Sequence, residues 1–144
     1  MKSFTCIMMI LMAGSMLASE SAINTVALTL YGEAAGEPNK GKLAVASVIW
    51  HRAGGQASKL VSVCKAPKQF SCWNNSTPVV RKDKPSQDAW KYCRLVAKDM
   101  VAGKFVPTVK ADHYHVHTMK KYPSWASRLK QVATIGNHVF YRKG

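Results

Sequence analysis

The sequence predicts an α+β domain in which helices come first and a small antiparallel sheet comes last. Apolar residues recur at helical spacing before Gly36, and residues 39–53 are apolar around most of a helix. Residues 112–117 and 134–141 instead show the period of two that is typical of strands. Gly136-Asn137 fits a two-residue hairpin turn with Gly first. No internal repeat or linker interrupts this pattern, which indicates a single domain.

Turn and capping residues divide the helical part. Asn24 is a good N-cap, Gly36 a suitable stop and Pro38 a suitable new start. The predicted elements are a first helix from Asn24 to Gly36, a second over 39–53, a helical turn after Ser58, a loop over 67–85 and a third helix from Ser86 to Gly103.

Alternation along the first predicted strand separates its side chains into two sets. His113, His115 and His117 lie on one face, and Tyr114 and Val116 lie on the other, which we expect to be the core face. The histidines then either line a polar groove or bind a metal, since zinc accepts three His ligands with an open fourth position.

The first 22 residues have the pattern of an export signal. Lys2 precedes an apolar run over 4–17, and small residues follow at Ala18, Ser19, Ser21 and Ala22. The run is shorter than the roughly 20 apolar residues that span a bilayer. We expect cleavage near residues 18–22, which leaves a domain over 23–144 and no membrane span; an uncleaved signal anchor is the alternative.

Positive charge dominates the composition, since 21 Lys and Arg against 7 Asp and Glu give a net charge of +14. Such an excess favours nucleic acid, an anionic membrane surface or another anionic polymer as partner. The basic residues form no run of five, and no zinc-finger or RNA-binding signature occurs. With the export signal, this favours anionic envelope polymers over nucleic acid, and a monomer in the periplasm or cell wall.

Three cysteines follow the signal segment: Cys64, Cys72 and Cys93. An exported chain meets oxidising conditions, so we expect one disulfide and one spare thiol. Of the three pairings we favour Cys72–Cys93, because Cys93 lies on the apolar face of a helix against which the loop of Cys72 is expected to pack. Three buried thiols are the alternative, and the spacing does not match a four-ligand zinc site.

Glu33 is the leading catalytic candidate. It ends an apolar helical segment just before Gly36 and Pro38 break the backbone, where a carboxylate can adjoin a cleft and transfer protons. The helix macrodipole disfavours a carboxylate at this end, so its presence calls for another explanation. Glu37 starts the next helix, where negative charge is favourable, and we expect it to have a structural or supporting role.

The scarcity of acids favours a mechanism with one essential carboxyl group. Sugar-cleaving hydrolases usually need two, about 5–9.5 Å apart. Asp88 lies in the first turn of a helix and Asp99 on an exposed helical face, so neither has the context of a nucleophile. A lytic transglycosylase needs only one Glu, which protonates the glycosidic oxygen and then takes a proton from the sugar's own 6-hydroxyl.

Several segments together resemble the spore cortex-lytic (SleB) type of cell-wall hydrolase. The matching segments are Tyr31-Gly-Glu-Ala-Ala-Gly-Glu-Pro38, Gly41–Arg52, Gln69–Asn74, His113-Tyr-His115, Trp125-Ala126 and Ile135–Arg142. The resemblance covers nearly all of 24–142 and rests on the order and spacing of these segments. It implies a lysozyme-like helical core, no metal or other cofactor, and cleavage between N-acetylmuramic acid and N-acetylglucosamine that leaves anhydro-muramoyl ends. It also implies that Glu33 is the catalytic residue.

The chain departs from that family in two ways. Ala35 occupies a place where the family usually has Arg, and no wall-binding repeats of the kind that spore members carry are present. We therefore expect a general envelope enzyme or a phage lysis protein rather than a germination enzyme.

Aromatic faces beside hydrogen-bonding groups suit sugar rings, although Phe70 is equally expected to fill the core. The substrate-binding candidates are Tyr31, Glu37, Gln69, Phe70, Ser71, Trp73, His113, Tyr114, His115 and Trp125. Two alternative functions remain. One is a metal-dependent peptidoglycan amidase or peptidase built on the His strand, and the other is a non-catalytic cationic wall-binding module.

Overall fold

The computed structural model describes the backbone over residues 2–144 and side chains from Gly14 onward. Over this range the chain forms four α-helices: α1 Lys2–Ala34, α2 Asn39–Arg52, α3 Leu60–Lys65 and α4 Lys84–Val101. Three strands follow: β1 His113–Val116, β2 Lys130–Ile135 and β3 His138–Arg142. Single 3₁₀ turns occur at Ala57–Lys59, Ser71–Trp73 and Ala126–Arg128. The predicted α+β class, with helices first and an antiparallel sheet last, is confirmed.

Helix α1 is longer than predicted, because it continues without a break from Lys2 through Asn24. The residues before Asn24 are rich in Met, Leu and Ala, which are strong helix formers, and no Pro separates them from the domain. The predicted N-cap at Asn24 is therefore wrong. Residues 14–20 are exposed, with Met16 and Leu17 each 73% accessible, whereas the following part of α1 enters the core.

Among the described residues, no helix combines the length and apolar character needed to cross a bilayer.

Helices α1, α2 and α4 enclose the core. Residues 44–49 of α2 are all buried, as expected for a helix that is apolar around most of its surface. Helix α4 presents one apolar stripe to α1, where Trp90 meets the Tyr31 ring edge-on at 6.1 Å. It begins at Lys84, slightly before the predicted Ser86, because the Asp83 carboxylate accepts a hydrogen bond from the Ser86 N–H at 3.0 Å.

The sheet has the order β1–β3–β2, with both pairs antiparallel, so β3 is central. Its first four residues are buried, and Phe140 packs into the helical core. The predicted hairpin turn at Gly136-Asn137, with Gly first, is confirmed. A two-residue turn of this type needs a positive φ only at its first position, and Gly136 has a φ of 57° whereas the φ of Asn137 is not positive. Strand β2 begins at Lys130, earlier than predicted, with an irregularity between Gln131 and Ala133.

The predicted Cys72–Cys93 disulfide is absent, because Cys64, Cys72 and Cys93 are free thiols. The loop of Cys72 packs on α1 at Gly32 rather than on α4, where Cys93 is buried. Burial raises the pKa of the Cys64 and Cys93 thiols to about 11. Burial, together with the negative charge of nearby Glu33, raises the pKa of the Cys72 thiol to about 12. All three are therefore neutral, unreactive thiols near pH 7.

A buried carboxylate joins the sheet to the start of α2. Glu37 is 8% exposed, and both of its oxygens accept from the Asn137 N–H at 3.1–3.2 Å. The Lys42 ammonium donates to the Glu37 carbonyl from the next turn of the chain. Glu37 thus holds the tip of the β2–β3 hairpin against the helices, which agrees with the predicted structural role.

Replacing Gly136 with Ala should destabilise the fold, because the new Cβ would overlap Glu37 Oε2 and φ is 57°. Gly103→Ala is a matched control, since Gly103 has a φ of 72° but no neighbouring atom within 4 Å. We expect the control to lose about 1 kcal/mol and Gly136→Ala about 1–3 kcal/mol more, measured by urea unfolding. Equal losses would show that the Glu37 contact does not secure the hairpin.

Candidate active site

Glu33 lies in the last turn of α1, half-buried, with its carboxylate held by three hydrogen bonds. Oε1 accepts from the Cys72 backbone N–H at 3.2 Å and from Ser71 Oγ at 3.5 Å. Oε2 accepts from the Tyr114 hydroxyl at 2.6 Å. The donors come from the loop after α3 and from β1, so two distant parts of the chain fix the plane of this carboxyl group.

The loop reaches Glu33 because residue 32 is glycine. A Cβ at Gly32 would lie 2.5 Å from Cys72 Cβ and 2.9 Å from Cys72 Sγ, so any side chain there would push the loop away. Trp73 anchors the same loop one turn earlier on α1, where its Nε1 donates to Thr29 Oγ1 at 2.9 Å. This close packing brings the Cys72 N–H to the carboxylate.

Tyr114 packs against the core, as strand alternation predicted, and its hydroxyl reaches Glu33. Val116, which was predicted to share that face, is 38% exposed and lines the concavity beside Glu33, so the core prediction is wrong for Val116. The Tyr114 ring packs against His138 at 4.9 Å and Phe140 at 5.8 Å, so only the hydroxyl reaches the carboxylate. Burial, followed by the negative charge of Glu33, raises the pKa of Tyr114 well above its ordinary value. The hydroxyl is therefore a neutral hydrogen-bond donor throughout the physiological pH range.

The histidine face of β1 points away from Glu33. His113 packs on Trp125 at 5.0 Å, and His115 packs on Tyr122 at 4.2 Å while its Nε2 lies 3.0 Å from the Tyr141 hydroxyl. The expectation that these histidines line the catalytic groove is wrong for His115, which is buried in this aromatic cluster. Among the residues with described side chains, no group of three His, Cys, Asp or Glu could hold a metal ion.

Arg52 is a site residue that the sequence analysis missed. Its Nε donates to the Asp112 carbonyl at 2.8 Å and its Nη1 to Gln69 Oε1 at 3.3 Å, with the guanidinium 5.2 Å from the centre of the Phe70 ring. Burial lowers its pKa from the ordinary value, while the charges of Asp112 and Glu33 oppose that shift. Arg52 thus joins the loop after α3 to the residue just before β1. The sequence feature that could have identified Arg52 was its position at the end of α2, in the motif Trp-His-Arg.

Two concavities adjoin these residues. One of about 470 Å³ contains Glu33 and is lined by Glu33, Ala34, Gly36, Glu37, Val116, Thr118, Asn137 and His138. Another of about 540 Å³ contains the predicted Gln69 and His113 beside Arg52, but not Glu33. The first has the Glu33 carboxyl group, the candidate for proton transfer, in its wall, so it is the candidate reaction site.

The other predicted substrate-binding residues differ in placement. Ser71 is exposed and contacts Glu33, and Trp73 lines a separate concavity that does not include Glu33. Phe70 is 1% exposed and fills the core beneath Arg52. Tyr31 is also buried, and its hydroxyl accepts from the Arg81 N–H at 3.2 Å. Trp125 packs on the histidine face of β1, away from Glu33.

Comparison with known proteins agrees with this geometry. The family model described as Cell Wall Hydrolase matches residues 36–141. The catalytic domain of the Bacillus cereus SleB protein is 26% identical, with a TM-score of 0.61 over 85% of this chain and 91% of that one. The catalytic domain of the germination-specific lytic transglycosylase SleB from Bacillus anthracis is 27% identical, with a TM-score of 0.61 over 84% and 93%. No curated protein sequence matches significantly.

The family match starts just after Glu33, whereas the structural matches span most of the chain. They confirm the predicted lysozyme-like α+β fold and the resemblance to SleB-type enzymes. The matched segment covers well over half of the sequence, including all three strands. This chain therefore belongs to the cell wall hydrolase family.

Proposed function

We propose that this protein cleaves peptidoglycan glycan strands as a lytic transglycosylase, with Glu33 as its acid and base. The observation that carries the proposal is the Glu33 carboxyl group, held by three donors in the wall of a 470 Å³ concavity. The solved neighbour from Bacillus anthracis is described as a lytic transglycosylase, which supports the same reaction here.

The reaction proceeds in two proton transfers at one residue. Glu33 gives its proton to the glycosidic oxygen as the bond to the muramoyl anomeric carbon breaks. The 6-hydroxyl of the same muramoyl sugar then bonds to that carbon, and the Glu33 carboxylate removes the hydroxyl proton. The product is a 1,6-anhydro ring, and Glu33 is returned to its protonated form without water or a second carboxylate.

Tyr114 and Cys72 support this cycle by holding the carboxyl group in place. Their donors fix its orientation while it alternates between acid and base, as expected for a positioned proton-transfer group. Glu37 lines the same concavity but is buried and bonded to the Asn137 N–H. It also comes from the same α1–α2 junction as Glu33, so it is poorly placed to attack the sugar from the opposite side.

The proposal extends to the protein's location and partners. We propose that residues 1–22 act as an export signal or signal anchor and that the folded domain works in the periplasm or cell wall, as a monomer. The net charge of +14 holds it on anionic envelope polymers rather than on nucleic acid. Family membership supports a wall-directed role.

Glu33→Gln should reduce the release of glycan fragments from purified sacculi by at least about 100-fold, because the amide can neither give nor take the proton. Mass spectrometry of the digest with unaltered protein should show anhydro-muramoyl ends. Asp99→Asn, which removes an exposed acid on α4, serves as the charge-matched control and should remain active. Reducing ends would indicate hydrolysis by water instead, and free peptides would indicate an amidase.

Tyr114→Phe should lower kcat about 10- to 100-fold, the range expected for losing a hydrogen bond to a charged group. The ring contacts with His138 and Phe140 remain, so the melting temperature should change little. Steady-state kinetics on soluble glycan and thermal unfolding together test this. Undiminished kcat in a folded variant would remove Tyr114 from the mechanism.

Dialysis against EDTA should leave glycan cleavage unchanged, because the proposed steps use only protein side chains and the substrate's own hydroxyl. Fragment release before and after dialysis measures the effect. If activity falls and zinc restores it, the metal-dependent amidase or peptidase becomes the better explanation.

A further inference from the structure

His138 has a buried ring nitrogen that no protein group satisfies. The residue is 4% exposed. Among the residues with described side chains, its Nδ1 is the enclosed nitrogen or oxygen atom that is left without a hydrogen-bond partner. Nδ1 faces Glu37 Oε1 at 3.6 Å, which is too long for a hydrogen bond. Buried polar groups in native proteins are nearly always paired, so this exception calls for an explanation.

Glu37 determines which nitrogen of His138 carries the proton. Burial lowers the pKa of His138, although the charges of Glu37 and Glu33 oppose that shift, so the ring is neutral near pH 7. A neutral imidazole carries one proton, and a carboxylate beside the ring favours that proton on the nitrogen that faces it. The proton therefore lies on Nδ1, and Nε2 keeps a lone pair that can accept a hydrogen bond.

The His138 ring adjoins the Glu33 carboxyl group. Both side chains line the concavity of about 470 Å³. Tyr114 is their shared neighbour, since its hydroxyl donates to Glu33 Oε2 at 2.6 Å and its ring meets the His138 ring edge-on at 4.9 Å. Within the described part of the chain, Nε2 makes no hydrogen bond to the protein and, unlike Nδ1, is not an enclosed atom. One tyrosine side chain thus separates the candidate acid from an unused acceptor in the same wall.

We propose that His138 Nε2 accepts a hydrogen bond from the 6-hydroxyl of the muramoyl sugar that reacts at Glu33. This rests on the proposed function, in which that hydroxyl is the nucleophile. An internal muramoyl residue has glycosidic bonds at C1 and C4, an acetamido group at C2 and a lactyl ether at C3, so its 6-hydroxyl is its one free hydroxyl. A neutral acceptor in the wall beside this sugar therefore has one hydroxyl to bind.

The hydrogen bond holds the nucleophile before the glycosidic bond breaks. While Glu33 is protonated, it donates toward the glycosidic oxygen, and Nε2 keeps the 6-hydroxyl beside the anomeric carbon. Once Glu33 has given up its proton, its carboxylate is the better acceptor, because hydrogen bonds to ionised groups are stronger than neutral ones. The hydroxyl then turns to Glu33 and transfers its proton there. His138 thus binds the substrate and takes no proton.

The test measures binding without turnover, using the full chain carrying Glu33→Gln as the parent. Two probes are compared: stem-free glycan strands with acetyl esters on their muramoyl 6-hydroxyls, and the same strands after mild alkali has removed the esters. The esterified strands lack the O–H group that donates to Nε2. We therefore expect the parent to bind the de-esterified strands more tightly.

Two substitutions separate the roles of the two ring nitrogens. His138→Asn keeps a polar group near the Nδ1 position and removes Nε2, whereas His138→Gln places its amide near the Nε2 position. The first should bind de-esterified strands about fivefold more weakly than the parent, the usual loss for one hydrogen bond, and should lose the preference between probes. The second should keep that preference. His117→Asn, at an exposed histidine outside the concavity, is the matched control and should bind like the parent.

A purely structural role for His138 predicts the opposite order, because Asn keeps the group that faces Glu37 and Gln loses it. Thermal unfolding shows whether each variant is folded; if His138→Asn is not, His138→Phe replaces it, since a phenyl ring keeps the contacts with Tyr114 and Phe140. A folded variant without Nε2 that keeps the parent's preference would overturn the proposal, as would equal losses on both probes. Failure of the parent to bind either probe would instead refute the proposed function, and this inference with it.

Discussion

The whole site depends on the close approach of the loop after α3 to the last turn of α1. Gly32 leaves room for Cys72, and this contact brings the Cys72 N–H to the Glu33 carboxylate. The loop is then held from its other side by Arg52, which bonds to Gln69 and to the Asp112 carbonyl before β1. One packing contact thus fixes the acid, and the arginine aligns the strand that carries Tyr114.

The sequence predicted the parts of the fold that local patterns determine. Helix α2 is apolar around most of its surface, and the hairpin has its glycine at the required turn position, so both were found with nearly correct limits. The start of α1 was missed because capping preference at Asn24 is weak beside a continuous run of strong helix formers. The disulfide was wrong because it depended on which helix the Cys72 loop packs against, a long-range choice that no local pattern encodes.

The site shows the same division between local and long-range information. Glu33 was identifiable because a helix end, a glycine and a proline mark it in one short stretch. Alternation correctly separated Tyr114 from the histidines and placed it against the core, but it could not show that His115 is buried in a second aromatic cluster or that Val116 is exposed at the strand end. Arg52 was missed because its three contacts come from residues 17 to 60 positions away.

The positions of the seven acidic residues explain why a mechanism with a single catalytic carboxyl group suits this protein. Four are engaged elsewhere: Glu20 with Arg94, Asp83 at the cap of α4, Asp88 with Lys84 and Asp112 with His113. Asp99 is exposed, and Glu37 secures the hairpin tip. A hydrolase would need a further carboxyl group across the bond to activate water or attack carbon. Supplying the nucleophile from the substrate's own hydroxyl removes that need.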